Sequence, residues 1–267
     1  MTAAKVAAPP APIHSAIADI ATITGRNLRR LTRVPTLLIF ATAQPVLFVL
    51  LFNYALGGAI HPPGVARYID FLLPGLFVVT LGFGSSQTGV AMADDLVSGM
   101  IDRFRSLPMS SVAVVIGRMA ADAVRNLFVV LLMIGVGSAL GFRFGAGAAA
   151  ACGAVVLVVA IGLAFSAVNS WLGLAVGEPE SAGLAGLFPF IILMFTSSTL
   201  VPVATMPGWL QAFAKVNPVT VFVDALRALC LGGPTRTPVL EACAWILALV
   251  VLGVWGTAVR YRRAATR

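Results

Sequence analysis

The chain has 267 residues, of which 59% are hydrophobic and only 10% charged, and its formal net charge is +8. A soluble domain carries roughly 25% charged residues and needs a polar surface, so this composition excludes a water-soluble enzyme and indicates a membrane protein. The basic residues lie at the edges of apolar segments, so we assign the positive charge to membrane topology rather than to nucleic-acid binding.

The first 35 residues are predicted to form a cytoplasmic tail that contains an amphipathic helix over 13–34. Isoleucine and leucine share one face of this helix, and Asp19 and four arginines lie opposite. Such a helix is typical of the surface of an anionic bilayer, although a soluble arm that docks on a partner fits the same pattern. The apolar stretch that follows begins too late and runs too long for a cleaved signal peptide.

Six apolar stretches with few charged residues exceed the roughly 20 residues needed to cross a bilayer. They cover about 36–57, 70–91, 119–141, 147–176, 183–203 and 239–259. We therefore predict an all-α membrane protein with one six-span domain over 36–259, followed by a basic tail over 260–267. Most of the 18 basic residues fall on one side of this arrangement, which places both termini in the cytoplasm. Six spans are few for a transporter, so a second copy or a related permease is expected beside this chain.

The loop after the second span is predicted to contain a short amphipathic helix over about 98–108, stopped by Pro108. Its apolar residues, among them Phe104, share one face, and the charged residues Asp102, Arg103 and Arg105 lie on the other. A rigid helix at the inner ends of two spans can transmit movement from a cytoplasmic partner, or it can merely anchor the loop.

Ionisable residues also occur where the third span begins, at Arg118, Asp122 and Arg125. The carboxylate of Asp122 can pair with either guanidinium, and the alternative is a proton relay. Uncharged polar residues within the spans can line a substrate path or join helices. They include Gln44, Asn53, Ser85, Gln87, Ser197, Ser198 and Thr199.

After the fifth span, residues 205–233 are predicted to form a re-entrant helical hairpin at the outer interface. Trp209 lies in its first amphipathic turn, and Pro218 opens a second apolar helix that is too short to span. Within this helix Asp224 and Arg227 are three residues apart and can form an ion pair.

The sequence offers no catalytic motif. Neither Lys5 nor Lys215 follows a glycine, so a nucleotide-binding P-loop is absent, and the three cysteines show no metal-ligand spacing. We expect a chain that is not catalytic and binds no metal or cofactor. The arginine-over-lysine bias, with many alanines and glycines, is typical of a GC-rich bacterial gene.

Taken in order, these segments resemble the permease subunit of type-2 ATP-binding-cassette exporters, and most of all its daunorubicin-resistance branch. The resemblance covers essentially the whole chain. It is carried by SGMIDRFRSLPMSSVAVVIGRMAADAVR at 98–125, FPF at 188–190, VPVATMPGWLQAFAKVNPVTVFVDALRAL at 201–229 and RYRR at 260–263.

The resemblance implies a plasma-membrane half-transporter that pairs with a separate cytoplasmic P-loop ATPase, with two permeases and two ATPases per complex. ATP and Mg would be bound by the ATPase. The helix over 98–108, with Asp102, Arg103, Phe104 and Arg105, would be the main coupling helix, and Glu178 and Glu180 a second cytoplasmic contact. Asn217, Pro218 and Arg227 would belong to the outer hairpin that closes the exit.

The family exports varied cargo, and the scarcity of charges in the spans favours a hydrophobic or amphipathic substrate such as a drug-like compound or lipid. Two alternatives remain: a scaffold or immunity protein that moves nothing, and an ion-coupled secondary transporter. The scarcity of acids in the spans speaks against the second.

Overall fold

The computed structural model describes residues 24–25, 35–59, 65, 67–100 and 111–264, and within these ranges it contains helices and no strand. Within these described ranges, eight α-helices have defined bounds: α1 Pro35–Leu56, α2 Tyr68–Val97, α3 Ser111–Ala139, α4 Gly147–Val176, α5 Pro179–Phe195, α6 Gly208–Val216, α7 Pro218–Leu231 and α8 Arg236–Ala264. The predicted all-α fold is confirmed.

Four described helices are long and apolar enough to cross a membrane: α2, Gly117–Ala139 of α3, α4, and Arg236–Arg260 of α8. Helix α1 has 22 residues, none of them charged, and the apolar helix α5 is shorter, with 17 residues. Each of the six predicted stretches thus falls on a helix. Apart from residues 24–25, the amphipathic helix predicted over 13–34 lies outside the described residues, and so does most of the coupling segment 98–108.

The fifth span differs from its predicted extent, because α5 ends at Phe195 rather than near residue 203. The cause is a run of hydroxyl side chains. Thr196 Oγ1 donates to the carbonyl of Ile192 at 2.7 Å, and Ser197 Oγ donates to that of Met194 at 2.6 Å. Side chains that bond the preceding turn in this way compete with the helical ladder, and here the chain turns away.

Helix α2 lies at the centre of the bundle and packs against α1, α3, α4, α5 and α7. In its most apolar stretch 78% of the residues are buried, against 22–33% in the other three long helices. Its approach to α4 is close: a Cβ added to Gly173 would collide with the carbonyl of Gly89. The small residues therefore let two backbones touch, as in other membrane helix pairs.

The bundle has two ends with different structures. One end, called the loop end, contains the connection from α2 to α3 and the connection from α4 to α5. The opposite end, called the hairpin end, contains the short helices α6 and α7. Helix α7 is inserted among the other helices, with Val219, Phe222 and Leu226 fully buried. Helix α6 lies at the surface, where Trp209 is 75% exposed. The predicted 205–233 segment is therefore a pair of short helices, one buried and one peripheral.

Candidate functional site

The buried helix α7 begins at Asn217 and Pro218. The side-chain oxygen of Asn217 accepts a hydrogen bond from the backbone N–H of Val219 at 2.9 Å, which caps the helix, and Pro218 occupies the first helical turn. The amide nitrogen of Asn217 donates to the carbonyl of Leu193 at 2.8 Å and to Thr196 Oγ1 at 3.2 Å. One buried side chain therefore both starts α7 and holds it against the end of α5.

One turn from the end of α7, the guanidinium of Arg227 binds the surrounding chain in several directions. Its Nε donates to the carbonyl of Phe71 on α2 at 3.1 Å, and one terminal nitrogen donates to the carbonyls of Ser198 and Thr199 at 2.7 and 3.3 Å. The other terminal nitrogen donates to Ser198 Oγ and to Asp224 Oδ1, at 3.1 and 3.2 Å. The predicted ion pair with Asp224 is present, as one contact of a larger cluster.

The Arg227 cluster, which consists of Phe71, Ser198, Thr199, Asp224 and Arg227, joins three segments. The guanidinium carbon lies 3.6 Å from the centroid of the Phe71 ring, in cation–π contact. The side chain of Arg227 is only 13% exposed, whereas that of Asp224 is 49% exposed. A buried cation with this many acceptors and a ring against its face holds three segments in fixed positions relative to one another. These are α2, α7 and the turn that follows α5.

Three of the predicted path residues belong to this hairpin end. Ser197, Ser198 and Thr199 are buried, and their hydroxyls or carbonyls take part in internal hydrogen bonds. Ser197 Oγ and Thr199 Oγ1 lie 2.6 Å apart. The structure therefore places these three groups in the framework of the hairpin end and not on the cleft described next.

A cleft of about 550 Å³ opens between α1, α2, α3 and α5. Two phenylalanines, Phe48 and Phe83, lie on its apolar side, with ring centroids 6.1 Å apart in edge-to-face contact. Its polar lining comes from the loop-end half of the bundle and includes Gln44, Gln87, Thr88, Arg118, Asp122 and Arg125. The volume is that of a pocket for a small drug-sized molecule.

The charged groups of the cleft form ion pairs. Asp122 pairs with Arg125 at 3.3 Å and accepts a hydrogen bond from Thr88 Oγ1 at 2.7 Å. Arg118 pairs with Asp95 on α2 at 2.6 Å and also donates to the carbonyl of Ala91 at 3.2 Å. Of the two partners that the sequence allowed for Asp122, the structure selects Arg125.

The sequence analysis missed Thr88 and Asp95 as members of these pairs. Asp95 follows the predicted second span, but α2 continues to Val97 and carries this carboxylate to Arg118. Thr88 gave no signal, because its partner Asp122 is 34 residues away. A contact between two helices depends on their rotation about their axes, which a single sequence does not state.

The remaining predicted path residues have different positions. Gln44 and Gln87 line the cleft and are exposed. Ser85 is buried between α2 and α4, where its hydroxyl accepts a hydrogen bond from Asn169 at 3.0 Å. Asn53 is half-buried near the end of α1 and is not on the cleft lining. Two of the seven predicted residues therefore share a cavity.

Of the predicted ATPase contacts, Asp102, Arg103, Phe104 and Arg105 lie outside the described residues. Glu178 and Glu180 are exposed at the start of α5, at the loop end. The carboxylate of Glu178 accepts a hydrogen bond from Ser181 Oγ at 2.6 Å. The acidic pair therefore faces away from the bundle, where another protein can reach it.

Comparison with known proteins identifies the family of this architecture. The family model described as ABC-2 type transporter matches residues 18–231. The chain is 30% identical over 218 residues to the daunorubicin resistance ABC transporter permease protein DrrB1 of Streptomyces coeruleorubidus, covering 82% of this chain and 77% of that protein. It is 28% identical over 247 residues to the probable doxorubicin resistance ABC transporter permease protein DrrC of Mycobacterium tuberculosis, covering 91% and 88%.

More distant similarity extends to algae. The putative transport permease ycf38 of Pyropia yezoensis is 25% identical over 232 residues, which cover 81% of this chain and 75% of that protein. The resemblance drawn from the sequence motifs is confirmed by these matches. The chain belongs to the ABC-2 type transporter family and is a membrane permease of the daunorubicin- and doxorubicin-resistance branch.

Proposed function

We propose that this chain is the membrane-spanning subunit of an exporter, and that a separate cytoplasmic P-loop ATPase drives it through alternating access. The observation that carries the proposal is the asymmetry of the bundle. The cleft opens between α1, α2, α3 and α5 in the half of the bundle nearer the loop end. The Arg227 cluster joins helices at the opposite, hairpin end. A permease that takes up cargo on one side and releases it on the other needs this kind of polarity.

The loop end is the cytoplasmic end in this proposal, because basic residues concentrate on the cytoplasmic side of a membrane protein. Most basic residues of this chain lie in the region after α2 and at the two termini. The coupling segment 98–108 connects α2 to α3 in the sequence, and the Arg118–Asp95 pair joins these two helices. Movement imposed on the segment by an ATPase dimer would therefore shift both walls of the cleft together. Exposed Glu178 and Glu180 supply a second contact for the ATPase.

The cargo in this proposal is hydrophobic or amphipathic, and the cleft between the helices is its route. Relatives of this chain are named for resistance to daunorubicin and doxorubicin, which supports a drug-like compound. Two permeases and two ATPases would form the working complex in the plasma membrane, the second permease being another copy or a relative.

Co-purification tests the partner. The tagged chain is extracted from its native membrane in mild detergent, with and without a non-hydrolysable ATP analogue, and co-purifying proteins are quantified by mass spectrometry. We expect a P-loop ATPase in near-equal amount. A homo-oligomer without any ATPase under both conditions would contradict the proposal and favour a scaffold or an ion-coupled transporter.

Charge reversal tests the coupling. The double substitution Arg103→Glu plus Arg105→Glu should abolish ATP-dependent export from cells while the chain still inserts, because an acidic coupling segment would repel the ATPase surface that the arginines bind. The matched control, Arg103→Lys plus Arg105→Lys, keeps the positive charge of the segment and should export normally. Full export by the first variant would contradict the coupling role.

A further inference from the structure

Phenylalanine rings connect the cleft to the hairpin end through the core of the bundle. Phe48 and Phe83 line the cleft, with ring centroids 6.1 Å apart, and the ring of Phe83 lies 5.7 Å from that of Phe190 on α5. Phe190 in turn lies 5.6 Å from Phe165 on α4, and Phe165 lies 5.8 Å from Phe222 on α7. These five residues, called the ring chain, come from five different helices and meet edge to face at every step.

The inner part of the ring chain is closely packed. Phe222 is fully buried, and Phe190 and Phe165 are only 6% and 9% exposed. These three rings are therefore closed to a cargo molecule, and each contacts rings of neighbouring helices instead. Because a protein interior is packed as densely as an organic crystal, a ring that moves must displace the ring that it touches.

The central ring of the chain lies directly on the backbone of α2. A Cβ added to Gly82 would collide with the ring of Phe190, so any larger residue at this position would displace the ring. The residue before Phe190 is Pro189, which lies inside α5 and has no N–H to donate to the carbonyl of Ala185. Helix α5 therefore lacks one of its own hydrogen bonds next to the ring, and helices bend most readily at such a point.

We propose that the ring chain transmits changes in the shape of the cleft to α7, and that Gly82 and Phe190 are the positioning residues that keep it continuous. A shift of Phe83 would move Phe190, then Phe165 and finally Phe222, so that α7 loosens or tightens against the bundle. Helix α7 carries the arginine of the Arg227 cluster, which joins the hairpin end. The inference rests on the proposed function, because alternating access requires each end of the bundle to respond to the other.

A buried thiol on α7 reports this response. Cys230 is fully buried and lies three residues after Arg227, whereas Cys152 and Cys243 are exposed. The full chain with Cys152→Ala plus Cys243→Ala is reconstituted in nanodiscs of phosphatidylethanolamine and phosphatidylglycerol and treated with a membrane-impermeant maleimide. Mass spectrometry follows the labelling of Cys230, whose rate measures how often α7 opens.

Substitutions along the ring chain should change this labelling rate. Phe83→Leu should accelerate it about fivefold, because α7 loses support that reaches it through edge-to-face contacts. Gly82→Ala, which displaces the ring of Phe190, should accelerate it about tenfold. Once Phe165→Leu has interrupted the chain, Phe83→Leu should add less than about twofold to the rate of Phe165→Leu alone. A general loss of stability would instead let the two effects multiply.

Two control variants change the same helices or the same cleft outside the ring chain. Val129→Ala removes buried apolar volume from the cleft lining, and Gly135→Ala adds a methyl group where no other group lies within 4 Å. Both should label within about twofold of the background chain. Circular dichroism and gel filtration check that each variant is folded, and Phe83→Leu decides the inference even if Gly82→Ala does not fold.

An unchanged rate in Phe83→Leu, an equal acceleration in Val129→Ala, or multiplying effects of Phe83→Leu and Phe165→Leu would each overturn the inference. The assay contains no nucleotide and no ATPase. Its failure therefore leaves the co-purification result standing, and an absent ATPase partner would overturn the proposed function without altering the labelling rates.

Discussion

The two ends of the bundle use polar side chains in opposite ways. At the hairpin end, Arg227 has acceptors for its Nε and both terminal nitrogens and a phenylalanine ring against its face. At the cleft, Gln44 and Gln87 are exposed with unused amides. A buried polar group with all its partners holds helices in one arrangement, whereas an unpaired group in a cleft is available to a ligand.

The difference predicts that substitutions at the two ends affect different quantities, the free energy of unfolding at the hairpin end and ligand affinity at the cleft. Substitutions in the Arg227 cluster should lower the free energy of unfolding whether or not cargo is present. Substitutions of the cleft glutamines should leave that free energy almost unchanged and alter affinity for a ligand. The charged pairs of the cleft fall between the two, because they join α2 to α3 and α3 to itself.

The largest effect is expected for Arg227→Ala. The substitution leaves the carbonyls of Phe71, Ser198 and Thr199 without their donor, so we expect a loss of about 3 kcal/mol or more in unfolding free energy. Unfolding of the purified chain in mixed micelles, followed by circular dichroism, measures it. Arg236→Ala removes an exposed arginine from the same end and should unfold like the wild type. A similar loss in both variants would refute the special role of the cluster.

A smaller loss is expected for Asn217→Ala. The alanine removes both the cap of α7 and the donors to Leu193 and Thr196, for a combined loss of about 2 kcal/mol. Asn217→Ser retains a capping oxygen and should recover part of this loss. The same unfolding assay decides it, and a serine variant no better than alanine would show that the cap itself contributes nothing.

The Arg118–Asp95 pair should show a modest coupling energy. Both side chains are about 15% exposed, so a double-mutant cycle with Arg118→Met and Asp95→Asn is expected to give about 1 kcal/mol. Under the proposed function the single variants should also reduce ATP-dependent export, and the exchange Arg118→Asp plus Asp95→Arg should restore part of it. Additive single effects in the cycle would mean that the two residues act independently.

The smallest effect on stability is expected for Gln87→Ala. Its amide has no hydrogen-bond partner among the described residues, so the change in unfolding free energy should stay within about 0.5 kcal/mol. Gln44→Ala should behave likewise. If either variant lost as much stability as Asn217→Ala, the amide would have a structural partner, and the contrast between the two ends would fail at that residue.

Much of the fold followed from local patterns in the sequence. Apolar stretches longer than a bilayer is thick can only be helices there, because backbone groups without water must bond within their own segment. The i, i+3 spacing of Asp224 with Arg227 predicted their ion pair, since residues three apart share a helix face, whereas the sequence left both Arg118 and Arg125 open as partners of Asp122. The early end of α5 was missed, because apolarity alone does not register the Ser-Thr run after it.

The candidate site was only partly predictable. Seven uncharged polar residues were equally good path candidates by composition, and nothing in the sequence separated Gln44 and Gln87, which share the cleft, from Ser85, which bonds Asn169 between two helices. Arg227 was expected to pair with Asp224, but its contact with Phe71 joins residues 156 apart. Contacts of this kind depend on which helices become neighbours.

The sequence by itself determined that this is an all-helical membrane permease, because hydrophobicity, arginine placement and ordered motifs are local properties of the chain. The tertiary structure alone decided which polar side chains form hydrogen bonds between helices and which line a cleft without such partners. The physical reason is that hydrogen bonds and ion pairs act over only a few ångströms, so the use of a side chain depends on the packing and rotation of whole helices.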